Sequence, residues 1–171
     1  MKRILVTGAN KGIGLAIVTK LLQDFPDTYL LLGSRDVGRG QAALQQVVEQ
    51  LGDAGKERVE LIQIDVTSDE SVKNAVEAIK AKHGDSEPLF GLVNNAGGMS
   101  ESPRGIVDLN TYGLRRVCEA FLPLIQKEKG SLDLLFNSFY IVGIFQVVLS
   151  KFLPELLPCL LLNAARRFKL S

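Results

Sequence analysis

The feature that most limits how this chain can fold is an early turn, Thr7-Gly8-Ala9-Asn10-Lys11-Gly12-Ile13-Gly14. It comes after the apolar run Ile4-Leu5-Val6, which reads as a buried strand. It leads into Leu15-Ala16-Ile17-Val18, whose apolar residues continue at helical spacing through Leu22 and Phe25. Strand, glycine turn and helix together suit a dinucleotide pyrophosphate. Glycines permit a tight turn and close backbone approach, and the free N–H groups and positive dipole end of the helix face the anion. Glycine also serves turns that bind nothing, so the weight of this one depends on the rest of the chain.

Downstream of the turn, strands and helices alternate. Thr28 to Gly33 is a second apolar run, ending in Ser34-Arg35-Asp36. In a doubly wound sheet the residue just past the second strand reads the adenosine ribose. A carboxylate there accepts from the 2′-OH of NAD, and a guanidinium pairs bidentately with the 2′-phosphate of NADP. Arg35 occupies that place and Lys11 can add a second cation, unless Arg35 is an ordinary exposed residue at a helix start. Asp36 either faces the ribose itself or favours the helix N-terminus. An amphipathic helix is expected from Gln41 to Leu51, with Gly52-Asp53-Ala54-Gly55 ending it. Val59 to Ile64 is a third strand and delivers Asp65-Val66 to its carboxyl end. Thr67 with Glu70 forms an expected capping box for a helix that buries Val72, Ala75, Val76 and Ile79 and exposes Lys73, Glu77 and Lys80. His83, the single histidine, falls at that helix's end as a cap-region polar residue. Leu89 to Val93 is a fourth strand, leading to Asn94-Asn95-Ala96-Gly97. Such an order implies parallel pairing, right-handed crossovers and an α/β three-layer α/β/α sandwich. A ligand then lies beyond the carboxyl ends of the strands, where Gly8 to Gly14, Arg35, Asp65 and Asn94 to Gly97 converge.

The spacing of Gly8, Gly12 and Gly14 is G-x-x-x-G-x-G, and with Thr7 before it the turn resembles the short-chain dehydrogenase/reductase family. Asn10-Lys11 inside the turn resembles its carbonyl-reductase branch. The resemblance runs to about residue 130 and implies a Rossmann-type doubly wound parallel sheet, an NADP(H) cofactor, and reduction of ketones or aldehydes by hydride transfer. It implies cofactor contacts from Gly8, Asn10, Lys11, Gly12, Ile13 and Gly14. Arg35 with Lys11 would be the basic pair on the 2′-phosphate, and Asp65 and Val66 would flank the adenine, Asp65 accepting from the exocyclic amine. Asn94-Asn95-Ala96-Gly97 is similar to the family turn that holds the central sheet, so Asn94, Ala96 and Gly97 are further expected contacts. A helix is expected from Ile106 to Glu128, kinked by Pro123 near its end. Within it Asn110-Thr111-Tyr112-Gly113 resembles the family's Asn-x-x-Gly, which implies that Asn110 bends the helix and holds a water of the proton relay. The stretch from Gly97 to Asn110 is short for a family member.

After Lys129-Gly130 the resemblance fails. A family member would continue with a fifth strand, a catalytic serine and Tyr-x-x-x-Lys, whose tyrosine exchanges the carbonyl proton while the lysine lowers its pKa. At that spacing Tyr29 is paired with Gly33, Tyr112 with Arg116 and Tyr140 with Ile144, so the diad is missing from this sequence. Leu132 to Phe136 can stand in for the fifth strand, and Ser138 falls near the place of the catalytic serine. From Leu134 to Ser150 there is no charge. Two prolines, a leucine-rich stretch and a basic end, Arg166-Arg167-Phe168-Lys169, come after it. Three accounts of this tail stay open: a terminus not shaped by the enzyme's function, such as an alternatively spliced or read-through end; a partly buried replacement for the last strand and helix; or a membrane or partner-binding tail. The uncharged run is at the short limit for a span, and Asn137, Ser138 and Gln146 weaken it.

The length of 171 residues allows one domain with a sizeable core, divided here into residues 1–130 as the NADP-binding part and 131–171 as a divergent hydrophobic segment. A net charge of +1 gives no electrostatic case for nucleic acid. Cys118 and Cys159 lie in no metal-ligand spacing and read as small apolar residues in a reducing compartment. The start has too few apolar residues for a signal peptide, so a cytoplasmic protein is expected. The expected small-molecule partner is a carbonyl compound, and the residues do not settle an oligomeric state.

Overall fold

The structure is a computed structural model that describes residues 1–84, 89–125 and 131–133. Its elements run β1 (Lys2–Val6), α1 (Gly12–Asp24), β2 (Thr28–Ser34), α2 (Val37–Leu51), the short α3 (Asp53–Lys56), β3 (Val59–Gln63), α4 (Asp69–His83), β4 (Gly91–Val93) and α5 (Pro103–Val107). A π-helical turn over Asp108–Tyr112 carries α5 into α6 (Gly113–Phe121). A 3-10 turn at Leu122–Leu124 and β5 (Ser131–Asp133) complete the described order. All pairings are parallel and the strand order is β3-β2-β1-β4-β5, with the chain switching sides between β1 and β4. That is the doubly wound sheet expected from the alternation, with its crevice at the switch point.

Alternation along the strands divides the core between two helical layers. Ile4, Val6, Leu30, Leu32 and Val93 pack with Ile17, Val18, Leu21 and Val47 of α1 and α2. Leu5, Leu31 and Leu92 point the other way and pack with Val72, Ile79, Val117 and Phe121 of α4 and α6. Both faces of each central strand are thus covered, which is why these strands read as continuous apolar runs. Each fully buried leucine contributes roughly 1.5–3 kcal/mol of transfer free energy.

Several boundaries differ from the sequence reading for local reasons. Helix α2 starts at Val37 rather than Gln41, because Asp36 caps it by accepting from the Arg39 amide at 2.8 Å. Of the two expected roles of Asp36, the structure shows the helix cap. The cap of α4 is Ser68, accepting from the Ser71 amide at 3.2 Å, and not the Thr67–Glu70 box. Thr67 is occupied elsewhere because its hydroxyl donates to Asp65 at 2.7 Å. The helix expected over Ile106 to Glu128 begins earlier, at Pro103, is interrupted by the π turn, and gives way at Pro123 to the 3-10 turn and a parallel bridge between Ile125 and Leu89. His83 is more than a cap-region residue: its Nε2 lies 2.6 Å from Glu60 Oε1, and its ring meets Tyr29 edge-on at 5.7 Å. The fifth strand is Ser131–Asp133, pairing Gly91 with Ser131 and Val93 with Asp133. Residues 134–136 of the expected strand, Ser138 and the rest of the hydrophobic tail lie outside the described residues.

Candidate functional site

The carboxyl ends of β1 and β4 are tied together by side chains that reach across the crevice. Thr7 is 1% exposed, and its Oγ1 accepts from the amides of Asn95 and Ala96, each at 3.1 Å. Asn95 answers by donating its side-chain amide to the carbonyls of Thr7 at 3.0 Å and Gly8 at 3.1 Å. The turn between these groups has no room for a side chain at Gly8 or Gly14. Gly8 has φ +64°, and a Cβ on it would stand 2.8 Å from the Ala96 Cα. A Cβ on Gly14 would collide with the Asn95 amide and lie 2.7 Å from the Gly8 carbonyl. The glycine turn and the Asn94-Asn95-Ala96-Gly97 turn are therefore two halves of one packed junction, and Asn95 is its clasp.

The turn then opens onto the start of α1. Helices α2, α4 and α5 are capped by Asp36, Ser68 and Ser102. Helix α1 has no side-chain cap and no acidic residue in its first turn, and its flanking residue is Lys11. Its first amides keep their hydrogen-bonding capacity and its positive dipole end stays uncompensated, which suits a phosphate. Lys11, Gly12 and Ile13 are exposed there, while Asn10 is partly covered.

The next part of the strand-end edge is set by β2 and β3. Arg35 projects with 70% of its side chain exposed, and its Nε lies 3.9 Å from Asp65 Oδ2. Asp65 is less exposed, and its Oδ1 accepts from both the amide (3.0 Å) and the hydroxyl (2.7 Å) of Thr67. Val66 is buried, and its carbonyl accepts from Arg116 at 2.7 Å. Arg116 also reaches Asp69 and, at 3.8 Å, Asp108. It thereby staples α6 to the loop that carries Asp65.

Beyond β4 the groups face inward more than expected. Asn94 is 4% exposed and donates to the Cys118 sulfur at 3.5 Å. Burial pushes the Cys118 thiol up, with the Asn94 hydrogen bond opposing it. Ala96 is partly covered and Gly97 exposed. Asn110 sits in the π turn and closes a ring of contacts: Oδ1 accepts from the Gly98 amide at 3.0 Å, and Nδ2 donates to the carbonyls of Gly98 and Ile106, both at 2.8 Å. The extra residue of the π turn aims this side chain at the loop. A Cβ on Gly113 would stand 3.0 Å from the Val66 carbonyl, so the Asn-x-x-Gly pattern also lets α6 approach the sheet end.

An open cleft of about 680 Å³ lies between α4 and α6, lined among others by Asp69, Lys73, Tyr112 and Glu119. It includes none of the sequence-predicted cofactor residues, which form a shelf along the strand ends. Among the described residues no group of His, Cys, Asp or Glu is placed to hold a metal ion, and no helix is long and apolar enough to cross a membrane.

The sequence pattern of the family described as short chain dehydrogenase matches residues 2–136. The chain belongs to that family. A short-chain dehydrogenase/reductase of Aspergillus fumigatus is 40% identical over 96 residues, covering 56% of this chain and 34% of that protein. Carbonyl reductase (NADPH) 1 of Homo sapiens is 37% identical over 134 residues, 72% of this chain and 45% of the relative. Among solved structures, the NADPH-bound carbonyl reductase from chicken fatty liver superposes with a TM-score of 0.61 at 29% identity, over 72% of this chain and 48% of the other. The chain thus spans 34% to 45% of the length of these two curated relatives. For a short-chain dehydrogenase, sequence reasoning misses Thr7, Asn95, Thr67 and Arg116 as parts of the site. Thr7 and Asn95 stand inside the quoted motifs. Arg116 carries no signal, because its partners, the Val66 carbonyl and the carboxylates of Asp69 and Asp108, stand at no i, i+3 or i, i+4 helical spacing from it in the chain.

Proposed function

We propose that the chain is an NADP(H)-binding domain of the carbonyl-reductase type, built by residues 1–130 and continued by a divergent hydrophobic segment, 131–171. The observation that carries this reading is Arg35: an exposed guanidinium at the end of β2, on the same edge as the uncapped start of α1 and Lys11. The fit to a dinucleotide also rests on the Gly8 and Gly14 cradle, where a Cβ would fill the space. The nicotinamide cofactor, when bound, supplies the hydride for a carbonyl carbon. The chain's own residues bind and orient it. The amides of Gly12, Ile13 and Gly14 receive the pyrophosphate, Asn10 lines the turn, Arg35 and Lys11 receive the 2′-phosphate, Asp65 and Val66 flank the adenine, and Asn94, Ala96 and Gly97 line the side toward the nicotinamide. Asn110 fixes the loop at Gly98. Ser138, the other expected catalytic group, lies outside the described residues.

Loss of an Arg–phosphate pair costs about 1.5–3 kcal/mol, or roughly 10- to 100-fold in affinity. Calorimetric titration of Arg35→Ala should therefore show that loss for NADPH and a loss within about threefold for NADH. Equal losses for both cofactors would sink the 2′-phosphate assignment.

A second reading, a non-catalytic cofactor-binding or interaction protein, is favoured by the absence of Tyr-x-x-x-Lys from the sequence. A carbonyl reductase assay on the same sample separates the two readings. NADPH binding without turnover supports the second, and turnover requires a proton donor other than that diad.

A further inference from the structure

Asp65 stands where two structural demands meet. Its Oδ1 is doubly held by Thr67, through the amide at 3.0 Å and the hydroxyl at 2.7 Å. This leaves Oδ2 as the oxygen facing Arg35, at 3.9 Å from Nε. The backbone beneath Arg35 is held as well. Gln63 donates to the Arg35 carbonyl at 3.5 Å, Ser34 donates to the Asp36 carbonyl at 2.8 Å, and Asp36 is fixed as the cap of α2. What the backbone does not fix is the direction of a long, mostly exposed side chain.

We infer that Asp65, locked by Thr67, is a positioning residue for Arg35: its carboxylate holds the Nε edge of the guanidinium so that the terminal nitrogens present their fork to a ribose 2′-phosphate. The inference rests on the reading of Arg35 given above. A guanidinium offers its donors along distinct edges of one plane, and a carboxylate beside Nε leaves the terminal edge open for a second anion. At 3.9 Å the contact is ionic and not a hydrogen bond, so it orients Arg35 only while Oδ2 itself stays in place. An exposed pair of this kind adds little to stability, and its effect falls on where the cation points. The Thr67–Asp65–Arg35 chain then contributes to the choice between phosphorylated and unphosphorylated ribose, in addition to any contact Asp65 makes with adenine.

Titrating the full chain with 2′,5′-ADP and 5′-AMP tests this, because the two ligands differ only in the 2′-phosphate. Wild type should prefer 2′,5′-ADP. Thr67→Val, which keeps the carboxylate but removes its hydroxyl anchor, should weaken 2′,5′-ADP about fivefold more than it weakens 5′-AMP. Thr67→Ser should restore the preference, and in an Arg35→Ala background Thr67→Val should leave the ratio of the two affinities unchanged. Retained 5′-AMP binding reports that each variant is folded, and Thr67→Ala carries the same readout if the valine variant does not fold. Equal losses for both ligands, no loss for either, or an effect on the ratio that persists without Arg35 would overturn the inference. A wild type without preference for 2′,5′-ADP overturns the reading of Arg35 itself, and the inference with it. That outcome is read on the unmutated chain alone.

Discussion

Gly14→Ala tests how the site is built, because a single methyl is aimed at the clasp. The added Cβ would collide with the Asn95 amide and stand 2.7 Å from the Gly8 carbonyl and 2.9 Å from the Ala9 Cα. The amide can move only by giving up its bonds to the carbonyls of Thr7 and Gly8. At about 1 kcal/mol net for each, that is about 2 kcal/mol. The two backbone neighbours cannot rotate aside, which adds an overpacking cost of about 1–3 kcal/mol. Alanine returns about 1 kcal/mol through its better helix propensity. The net expectation is a loss of about 2–4 kcal/mol, a large share of the roughly 5–15 kcal/mol that hold a domain together. In urea, with a slope near ~2 kcal/mol per molar, the unfolding midpoint tracked by circular dichroism should fall by about 1–2 M. Removing the collision partner should recover part of this, so Gly14→Ala and Asn95→Ala together should cost about 1 kcal/mol less than the sum of the two alone. Gly12→Ala serves as the contrast. Its φ is +59° with nothing within 4 Å, so it should cost only the left-handed backbone strain and show no coupling to Asn95. A Gly14→Ala variant within about 0.5 kcal/mol of wild type, or strict additivity with Asn95→Ala, would refute the account of the junction.

At the opposite edge of the sheet, burial pushes the Glu60 carboxyl up, but the hydrogen bonds from Lys82 and His83 outweigh it and leave it below its ordinary range. Its contribution is therefore present above the ordinary carboxylate range and lost as pH falls through the lowered value, so Glu60→Gln should flatten the acid limb of a stability-against-pH curve and an unchanged limb would count against the cluster. Since burial raises the Cys118 thiol, peptide-resolved alkylation should label it far more slowly in the native chain than in urea, and equal rates would contradict its position against Asn94. Phe121 is 0% exposed between α6 and the sheet, and Phe121→Ala should cost about 3–5 kcal/mol in chemical denaturation.

Most of the fold is legible because parallel strands covered on both faces announce themselves as apolar runs between turn residues. The glycine turn, Arg35, Asp65 and the Asn-Asn-Ala-Gly turn fall on one edge by that logic, and the structure puts them there. The misreadings have a common origin, which is that hydrogen-bond competition has no trace in a one-dimensional pattern. Thr67 and Ser68 are both reasonable caps, and Ser68 wins only because Asp65 has taken the Thr67 hydroxyl. The first turn of α2 carries no apolar period, so periodicity starts the helix late although its cap, Asp36, is in plain view. The π turn inserts one residue and breaks the spacing on which the long helix from Ile106 depends. His83 pairs with a strand residue more than twenty positions away, a distance over which spacing is silent.

The way the edge is held also bears on what a chain without Tyr-x-x-x-Lys can retain. Each described hydrogen bond that shapes the shelf runs between groups within residues 7 to 118. Thr7 pairs with Asn95 and Ala96, Asn95 with Gly8, Asp65 with Thr67, Arg116 with Val66, and Asn110 with Gly98. These are mostly side-chain-to-backbone locks among the ends of β1, β3 and β4 and the helices beside them, and they require no group from the catalytic diad. Preorganisation of a phosphate cradle depends on the placement of amides and on close backbone approach, both of which these locks supply locally. Proton transfer is different, because it needs a donor within hydrogen-bond reach of the carbonyl oxygen. Under the proposed reading, cofactor binding and proton transfer would therefore call on separate sets of residues, and the locks that hold the first need nothing from the second.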